Sequence, residues 1–447
     1  MYDNLGLVKN SIATIITKVA VLVLGIVSSV IIARILGPSG KGVLALILLV
    51  PGLAVSFGNL GLGVANVYYS GKEPEKINLL VTHSVLIGFF LGILLFVVCF
   101  LTINHSTSFT KVSHEINPIY FILALSILPF SLITGYFDQI VWGRNLILTI
   151  NLKQVITTIA SLASIVLFLI ILKLNVLGAV LSNICIGVIS FLYSYFLVKR
   201  LTKIKIRASA VDWGFLKKSL AFGFKGYVGN LMSFLIYRLD MFLITFFLGT
   251  TQLGYYSLAV GLVEKIWLIP GSIAAVLLPR LTSTTKTEAR KITPVVCRHT
   301  LLWVILAGLF MYFAAKPLIN LLYGVAFAPS VLPLLILIPG ILTVSMGKVL
   351  ASDILSKGKP HYAMMLAFVA FIVNVVLNII LIPRWGIAGA AFASTVSYSL
   401  ATVIWFWVYH RESGVNLSTL FVPTREDYKL YLGLLLRFKL FPNSWIR

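Results

Sequence analysis

Charged residues are scarce in this sequence, and acidic residues are scarcer still. Only 11% of the 447 residues are charged, and 13 Asp and Glu stand against 36 Lys and Arg. A soluble domain carries charge on roughly a quarter of its residues, so the composition excludes an ordinary soluble fold. Because 59% of the residues are apolar, the sequence indicates an all-α protein that lies in a lipid bilayer.

Other absences narrow the class of protein further. The three cysteines have no disulfide or metal-ligand spacing, and no His-x-x-x-His pair is present, so we expect no metal. Without a P-loop, ATP is not the direct energy source. The net charge of +23 includes no basic arm interleaved with aromatic residues, and we therefore expect no nucleic-acid partner. Membrane proteins place such surplus Lys and Arg in cytoplasmic loops.

Long apolar runs predict twelve transmembrane helices. A helix needs about 20 mostly apolar residues to cross a bilayer. Most of the hinges between such runs carry Gly or Pro, as at Gly37-Pro38 and Gly249. The predicted spans are 10–34, 43–69, 79–103, 117–142, 148–172, 176–198, 219–248, 253–279, 296–322, 329–356, 361–383 and 387–410.

The distribution of basic residues predicts the orientation. The loops and termini on the side of the N-terminus hold 25 basic residues, whereas the opposite loops hold six. Cytoplasmic loops of membrane proteins carry the excess of Lys and Arg. We therefore expect a multi-pass protein of the cytoplasmic membrane with both termini in the cytoplasm. The opposite loops are all short, which leaves no room there for a separate domain.

An internal repeat divides the predicted helices into two groups of six. Leu36-Gly37, Gly42 and Leu46 recur 212 residues later as Leu248-Gly249, Gly254 and Leu258. Parallel repeats of this kind are a common plan in transporters, with the substrate path between the repeats. The prediction is a bundle over 1–207, a second bundle over 208–411, and a cytoplasmic tail over 412–447. That tail is either an amphipathic helix on the membrane surface or an ordinary solvated segment.

Polar residues recur at helical spacing on one face of three spans. The first span carries Thr14, Lys18 and Ser28, and the offset of 212 places Lys18 on Asn230 and Ser28 on Asp240. The second span carries a similar stripe, and its asparagines, with Asn230, are candidate substrate-binding residues: Asn59 and Asn66. Lipid cannot satisfy polar groups, so these faces either line a wet cavity or pack helix against helix.

Charges inside the spans are mainly positive. The acids are Asp240 and Glu264, and the bases are Lys18, Lys225, Arg238, Lys265 and Lys348. An ionised group near the bilayer centre costs roughly 2.5–3.5 kcal/mol on insertion scales. Surplus cations in such a place require an anionic partner, and a phosphate or diphosphate headgroup would supply one. The predicted headgroup ligands are Lys18 and Lys348, helped by Arg238.

The remaining charged candidates have two interpretations each. Asp240, Glu264 and Lys265 either couple transport to a proton or sodium gradient or only balance neighbouring charges. A second group lies at helix ends near the predicted cytoplasmic face, and it either forms a cytoplasmic gate or caps helices and pairs locally. This group consists of Asp138, Asp353 and Lys357.

Several motifs in order resemble one family. They are Ile32-Ala33-Arg34-Ile35-Leu36-Gly37-Pro38 with Gly42, Arg238-Leu239-Asp240, Leu248-Gly249, Gly254-Tyr255-Tyr256-Ser257-Leu258-Ala259, Leu278-Pro279 and Trp385-Gly386-Ile387-Ala388-Gly389-Ala390-Ala391. Over about 1–411 the chain resembles the O-antigen and capsule repeat-unit flippases of the MOP (multidrug/oligosaccharidyl-lipid/polysaccharide) exporter superfamily. The resemblance implies two six-helix bundles in a V, alternating access, a cationic central cavity and no catalytic motif.

The predicted function is therefore that of a flippase for cell-surface polysaccharide biosynthesis. Its substrate would be a polyprenyl-diphosphate-linked oligosaccharide, and its other partners membrane lipid and polysaccharide assembly proteins. A multidrug antiporter of the same superfamily is the nearest alternative, but it would need an acidic cavity for cationic drugs. A membrane glycan polymerase or ligase is a second alternative, although such an enzyme usually needs a large outer loop. We predict no enzymatic activity and no cofactor.

Overall fold

The structure is a computed structural model, and it describes residues 4–105, 116–201, 212–282, 284–425 and 427. Ten helices in this part of the chain are long and apolar enough to cross a membrane. Two of them, Ile16–Gly58 and Pro360–Ser413, span 43 and 54 residues. Each of the two bends at a glycine and makes two passes, so the described residues make twelve passes. The prediction of an all-helical protein with about twelve transmembrane helices is confirmed.

The first half of the molecule contains spans one to six. The first and second spans share one helix that bends at Gly37, and a short helix continues the second span after a break. The fourth span consists of two consecutive helices, and the fifth ends in a π-helical segment. In chain order the helices are Asn4–Gly58, Leu62–Lys72, Ile77–His105, Pro118–Leu125, Leu128–Gly143, Ile147–Ile165 with Val166–Ile171, and Asn175–Leu201.

The second half contains spans seven to twelve. A 3-10 segment interrupts the eighth span, a π-helical segment ends the ninth and a 3-10 segment begins the tenth. The eleventh and twelfth spans share one helix that bends at Gly386. In order the helices are Trp213–Leu248, Thr250–Val263 with Glu264–Trp267, Leu268–Thr282, Lys286–Leu318 with Ile319–Tyr323, Val325–Ser330 with Val331–Ser356, and Pro360–Ser413.

Because the number of spans is even, the first span begins and the twelfth ends at the same face, which we call the terminal face. Four of the turns at the opposite face depend on a glycine with positive φ: Gly37, Gly249, Gly324 and Gly386. Gly37 (φ 65°, ψ −177°) and Gly249 (φ 86°, ψ 178°) lie in a region of backbone space that glycine alone enters readily. They occupy equivalent positions of the 212-residue repeat.

The repeat is also visible where the two halves meet. A Cβ atom on Gly42 would lie 1.7 Å from the carbonyl oxygen of Thr250, and one on Gly254 would lie 1.9 Å from that of Pro38. The offset of 212 converts each contact into the other. The second and eighth spans therefore touch backbone to backbone at the opposite face through equivalent surfaces, as in a two-fold interface. Glycine is required at both positions for this approach.

The predicted boundary between the halves at 207/208 lies outside the described residues, and so does most of the tail. Up to Asp427 the tail folds back against the ninth span. Arg298 donates two hydrogen bonds to the Asp427 carboxylate, at 2.7 Å and 3.0 Å, and a third of 2.7 Å to the carbonyl oxygen of Thr419. This contact fixes the beginning of the tail to the second half.

Candidate functional site

A break in the second span lies where the two halves approach each other within the membrane. Leu60 and Gly61 both have positive φ, and the helix resumes at Leu62. The hydroxyl of Tyr136 donates to the freed carbonyl oxygens of Gly58 (3.1 Å) and Asn59 (3.2 Å). Irregular backbone at membrane depth occurs only where protein or water satisfies it, and such breaks mark binding sites in transporters.

The seventh span closes against this break. Tyr227 donates a 2.8 Å hydrogen bond to the carbonyl oxygen of Phe57, which joins the two halves. A Cβ atom on Gly223 would lie 1.9 Å from the carbonyl oxygen of Gly61, so the two backbones are in direct contact. Any larger residue at Gly223 would push the halves apart here.

A cavity of about 880 Å³ lies between the halves on the terminal side of the membrane. Its walls come from the second, fourth, seventh, eighth and tenth spans, and among the described residues that line it none is acidic. Its polar side chains include two of the predicted substrate ligands, Asn59 and Asn230, together with Ser56 and Gln139. The volume falls within the usual range of ligand pockets in proteins.

The third predicted asparagine lies elsewhere. Asn66 is fully buried inside the first half, and its amide donates to Ser84 Oγ (2.9 Å) and to the carbonyl oxygen of Tyr136 (3.2 Å). These contacts hold the second, third and fourth spans together. The geometry gives Asn66 a packing role, although its residue type and spacing match those of Asn59.

Lys18 bridges the two halves. Its ammonium donates a 3.0 Å hydrogen bond to Ser272 Oγ, so the first span contacts the eighth at this point. The side chain of Lys18 is half-buried. No carboxylate of a described residue forms an ion pair with Lys18, and its hydrogen-bond partner Ser272 is a neutral hydroxyl.

Lys348, which lies in the tenth span, also contacts the eighth span. Its ammonium lies 4.1 Å from the ring centroid of Trp267, within the range of a cation–π interaction. The Trp267 ring packs against Tyr237 at 4.8 Å and Tyr398 at 6.3 Å between centroids. The ammonium thus rests on an aromatic face, and it has no carboxylate partner among the ion pairs of the described residues.

Arg238 has a different environment from the two lysines. Its guanidinium forms a bidentate ion pair with Glu264, with N–O distances of 2.8 Å and 3.0 Å. Bidentate pairs of this kind are among the strongest side-chain contacts in proteins. Arg238 therefore differs from Lys18 and Lys348, which form no ion pair with a described carboxylate. The side chain of Lys225 lies outside the described side chains.

Asp240 is 2% exposed and is the centre of a polar network in the second half. Its Oδ2 accepts hydrogen bonds from Tyr256 (2.5 Å) and Ser394 (3.1 Å), and its Oδ1 accepts one from the backbone N–H of Met241 (2.7 Å). The buried amide of Asn374 donates to Ser394 Oγ at 3.4 Å. The network joins the seventh, eighth, eleventh and twelfth spans.

The predicted gate residues form two separate clusters, each within one half. Asp138 accepts hydrogen bonds from Lys153 (2.6 Å and 2.8 Å) and Ser194 (2.7 Å) in the first half. Asp353 pairs with Lys357 and accepts a 2.7 Å hydrogen bond from Thr293 in the second half. These contacts lock helices together inside each half rather than joining the halves.

Lys265 faces a second cavity, of about 530 Å³, which it shares with Lys41. Lys41 lies between the predicted spans 10–34 and 43–69. The structure places it inside the helix that starts again immediately after Gly37. A further contact between the halves lies at the opposite face, where Arg34 donates to the carbonyl oxygens of Leu321 (2.5 Å) and Leu322 (2.7 Å).

Several residues of these clusters escaped the sequence analysis. Lys41 lies between two predicted spans, and Lys153 lies five residues after the start of the predicted span 148–172, so neither was among the charges assigned to the interior of the spans. For the partners of Asp240, the sequence offers a pair of asparagines four residues apart in an apolar span, Asn374 and Asn378. Ser394 and Trp267 gave no signal, because such residues are ordinary in apolar helices.

Comparison with known proteins identifies a family and several relatives that this chain resembles. A family described as "Polysaccharide biosynthesis protein" matches residues 7–285. A putative O-antigen transporter of Shigella flexneri is 22% identical over 423 residues, which cover 92% of this chain and 99% of the relative.

Two solved structures share the fold. An inward-facing multidrug resistance MATE family transporter of the MOP superfamily superposes with a TM-score of 0.76 at 14% identity, over 90% of this chain and 98% of that one. The lipid II flippase MurJ in an inward closed conformation superposes with a TM-score of 0.73 at 16% identity, over 98% and 94% of the two chains. At these identities, the similarity establishes a common fold.

Proposed function

Since this chain belongs to the Polysaccharide biosynthesis protein family of membrane transporters, we propose that it flips a polyprenyl-diphosphate-linked oligosaccharide across the cytoplasmic membrane. Both termini would lie in the cytoplasm, because the terminal face carries most of the basic residues. The cavity on the terminal side would then receive a substrate made in the cytoplasm. The protein moves this substrate without changing it and is not an enzyme.

The observation that carries the proposal is the pair of lysines that contact the eighth span. Lys18 and Lys348 contact Ser272 and Trp267 of that span, and neither forms an ion pair with a described carboxylate. Two cations outside ion pairs in a membrane are costly, and a diphosphate would compensate both. Lys18 reaches the eighth span from the first half of the molecule, so a headgroup bound there would lie between the halves.

The positions of the cavity and of the closed contacts support a mechanism of alternating access. The halves touch backbone to backbone at the opposite face, through Gly42 and Gly254, and Arg34 adds two hydrogen bonds there. The cavity of about 880 Å³ lies on the terminal side. We infer that this arrangement is the loading state and that release requires the contacts of Arg34 to break.

Asp240 is the proposed coupling residue. It is buried and surrounded by oxygen atoms of Tyr256 and Ser394, and it lies in the same span as Arg238. Binding or release of one cation at this carboxylate would change how four spans of the second half pack. The coupling ion is a proton or a sodium ion, and a transport assay with each gradient imposed separately distinguishes the two.

The contacts favour this function over a multidrug antiporter. A cationic drug would need an exposed acid between the halves, but Glu264 is committed to Arg238 and Asp240 is enclosed within the second half. The described residues that line the terminal-side cavity include no acid. The diphosphate of a lipid-linked oligosaccharide supplies a counter-ion for the lysines, and its sugars can form hydrogen bonds with the amides of Asn59 and Asn230.

The proposal is tested in cells that lack the chromosomal gene. We expect Lys18→Gln to abolish surface glycan, and a lipid-diphosphate glycan should accumulate on the cytoplasmic leaflet while the amount of protein stays normal. Lys316→Gln, an exposed lysine at the opposite face, is the matched control and should export normally. Normal export by Lys18→Gln at wild-type protein levels would remove the headgroup site from the mechanism.

A further inference from the structure

Two lysines meet in a cavity that the proposed function has not used. The cavity has a volume of about 530 Å³, and a connected pocket of about 100 Å³ is lined by the same pair, Lys41 and Lys265. Lys41 comes from the second span, in the first half, and Lys265 from the eighth span, in the second half. The cavity therefore lies between the halves and receives one cation from each.

Hydroxyl groups complete the lining. Lys41 and Lys265 share the cavity with six Ser and Thr residues, which are Ser28, Ser29, Thr157, Thr158, Ser161 and Ser257. None of the described residues lining the cavity is acidic. The ion pairs formed by the described residues engage neither ammonium.

This set of groups selects a class of ligand. Ammonium groups only donate hydrogen bonds, and a hydroxyl rotates to donate wherever an acceptor is offered. A phosphate or diphosphate carries negative charge and offers only acceptor oxygens, so it complements every polar group in the cavity. A cation would meet repulsion from both lysines.

The cavity also lies at a different depth from the Lys18 site. Lys265 precedes Ser272, the partner of Lys18, by seven residues in the same span, which places it about 10 Å nearer the opposite face at 1.5 Å per helical residue. It lies two residues from Trp267, the partner of Lys348, and Lys41 lies only four residues beyond the turn at Gly37. The cations thus form a row along the eighth span, from Lys18 through Lys348 to the cavity of Lys41 and Lys265.

We propose that Lys41 and Lys265 form a second diphosphate site, which the headgroup occupies after it leaves Lys18 and Lys348. This inference rests on the proposed flippase function for the identity of the ligand. The ligand at this site bridges the halves, because each half supplies one ammonium. The ligand leaves only when the halves separate at the opposite face, and its departure removes the bridge between them.

Binding to purified protein in nanodiscs tests the second site separately from export. The starting protein is the double variant Lys18→Gln/Lys348→Gln, in which the first site has lost both charges. The probes are inorganic pyrophosphate and farnesyl diphosphate, titrated by isothermal calorimetry. We expect both probes still to bind, and we expect the addition of Lys265→Gln or Lys41→Gln to weaken binding at least tenfold. The addition of Lys316→Gln should change nothing.

Each outcome decides the assignment. Binding of pyrophosphate without farnesyl diphosphate would show a site for free anions and overturn its role for the headgroup. Absence of binding to the double variant, or binding unaffected by Lys265→Gln and Lys41→Gln, would overturn the site itself. Gel filtration and the melting temperature confirm that each variant is folded, and Lys265, which is exposed, tolerates substitution best. The flippase proposal is judged independently, by the export of Lys18→Gln in cells.

Discussion

The two halves of this protein meet along two seams of opposite chemistry. In the glycine seam, between the second and seventh spans, the backbones of Gly61 and Gly223 touch and Tyr227 bonds across to Phe57. In the lysine seam, between the first two spans and the eighth, the contacts are Lys18 with Ser272 and the cavity of Lys41 and Lys265. The first seam has little room for change, whereas the second contains cations without carboxylate partners.

The difference indicates that the glycine seam and the lysine seam have separate roles. The contact of Gly61 and Gly223 leaves no space between the second and seventh spans, and we expect it to stay closed as the halves move. The backbone contact of Gly42 and Gly254 at the opposite face must instead open for release. A seam lined by Lys and Ser separates at lower cost when water or an anion satisfies its polar groups. Substitutions should therefore affect stability at the glycine seam and transport at the lysine seam.

The largest effect on stability should come from the ion pair that borders the lysine seam. Glu264→Gln leaves Arg238 uncompensated in a partly buried position, and we expect a loss of up to about 3 kcal/mol in the free energy of unfolding. The double variant Arg238→Gln/Glu264→Gln should recover most of it. Melting temperatures in detergent measure both changes. Equal stability of the single variant and the wild type would mean that the stability of the fold does not depend on the pairing of Arg238 with Glu264.

The glycine seam should be next in sensitivity. Gly223→Ala places a methyl group 1.9 Å from the Gly61 carbonyl oxygen, and overpacking of this kind costs about 2 kcal/mol. Gly229→Ala in the same span is the matched control, since its nearest neighbour, Met364 Cα, lies 3.8 Å away. We expect a lower melting temperature for Gly223→Ala alone. If the two variants had the same melting temperature, the backbone contact would not contribute to the stability of the fold.

Charge rather than shape should matter at the lysine seam. Ser272→Asp gives Lys18 a carboxylate partner, and we expect export to fall about tenfold, equivalent to about 1.4 kcal/mol. The fold should be as stable as that of the wild type. Ser272→Asn introduces a side chain of the same size as Asp but keeps a neutral hydrogen-bond acceptor, and this variant should export normally. Surface glycan, measured relative to protein amount, separates the two variants. Equal export by both would mean that the charge of Lys18 is not used.

The smallest effect is expected in the tail, which belongs to neither seam. The Arg298 guanidinium lowers the pKa of the Asp427 carboxyl to about 2, below its usual value near 3.9. The contact therefore stabilises the folded tail above about pH 4, and this contribution disappears as the pH falls toward 2. Pepsin digestion between pH 4 and pH 2 should show increasing cleavage of the tail. At neutral pH, Asp427→Asn should expose the tail to trypsin while export stays unchanged. A loss of export would connect the tail to transport.

Much of the fold could be predicted from local patterns. Hydropathy predicts each span because each residue contributes separately to the free energy of transferring the helix into lipid. Gly37 and Gly249 marked two turns because only glycine enters that backbone conformation readily. The offset between these two residues also gave the repeat, and the structure places the equivalent glycines Gly42 and Gly254 in mutual contact.

The partners of charged residues could not be predicted, because they depend on how the helices rotate against one another. Arg238 and Glu264 are 26 residues apart, and Asp138 and Lys153 lie in different spans, so no local spacing links either pair. Asn59 and Asn66 belong to one polar stripe in the sequence. The helix breaks between them, and the side chain of Asn66 is buried inside the first half. Lys41 was assigned to a loop because the sequence does not show that the helix resumes at Pro38.

The central claim is that cations between the halves carry a diphosphate headgroup across the membrane. The most direct measurement is the movement of a purified lipid-diphosphate oligosaccharide between the leaflets of proteoliposomes, followed by its accessibility to a glycosidase outside the vesicles. The account predicts rapid movement with wild-type protein, with Lys316→Gln and with Ser272→Asn, and movement at the protein-free rate with Lys18→Gln. Movement by Lys18→Gln as fast as by the wild type would contradict it.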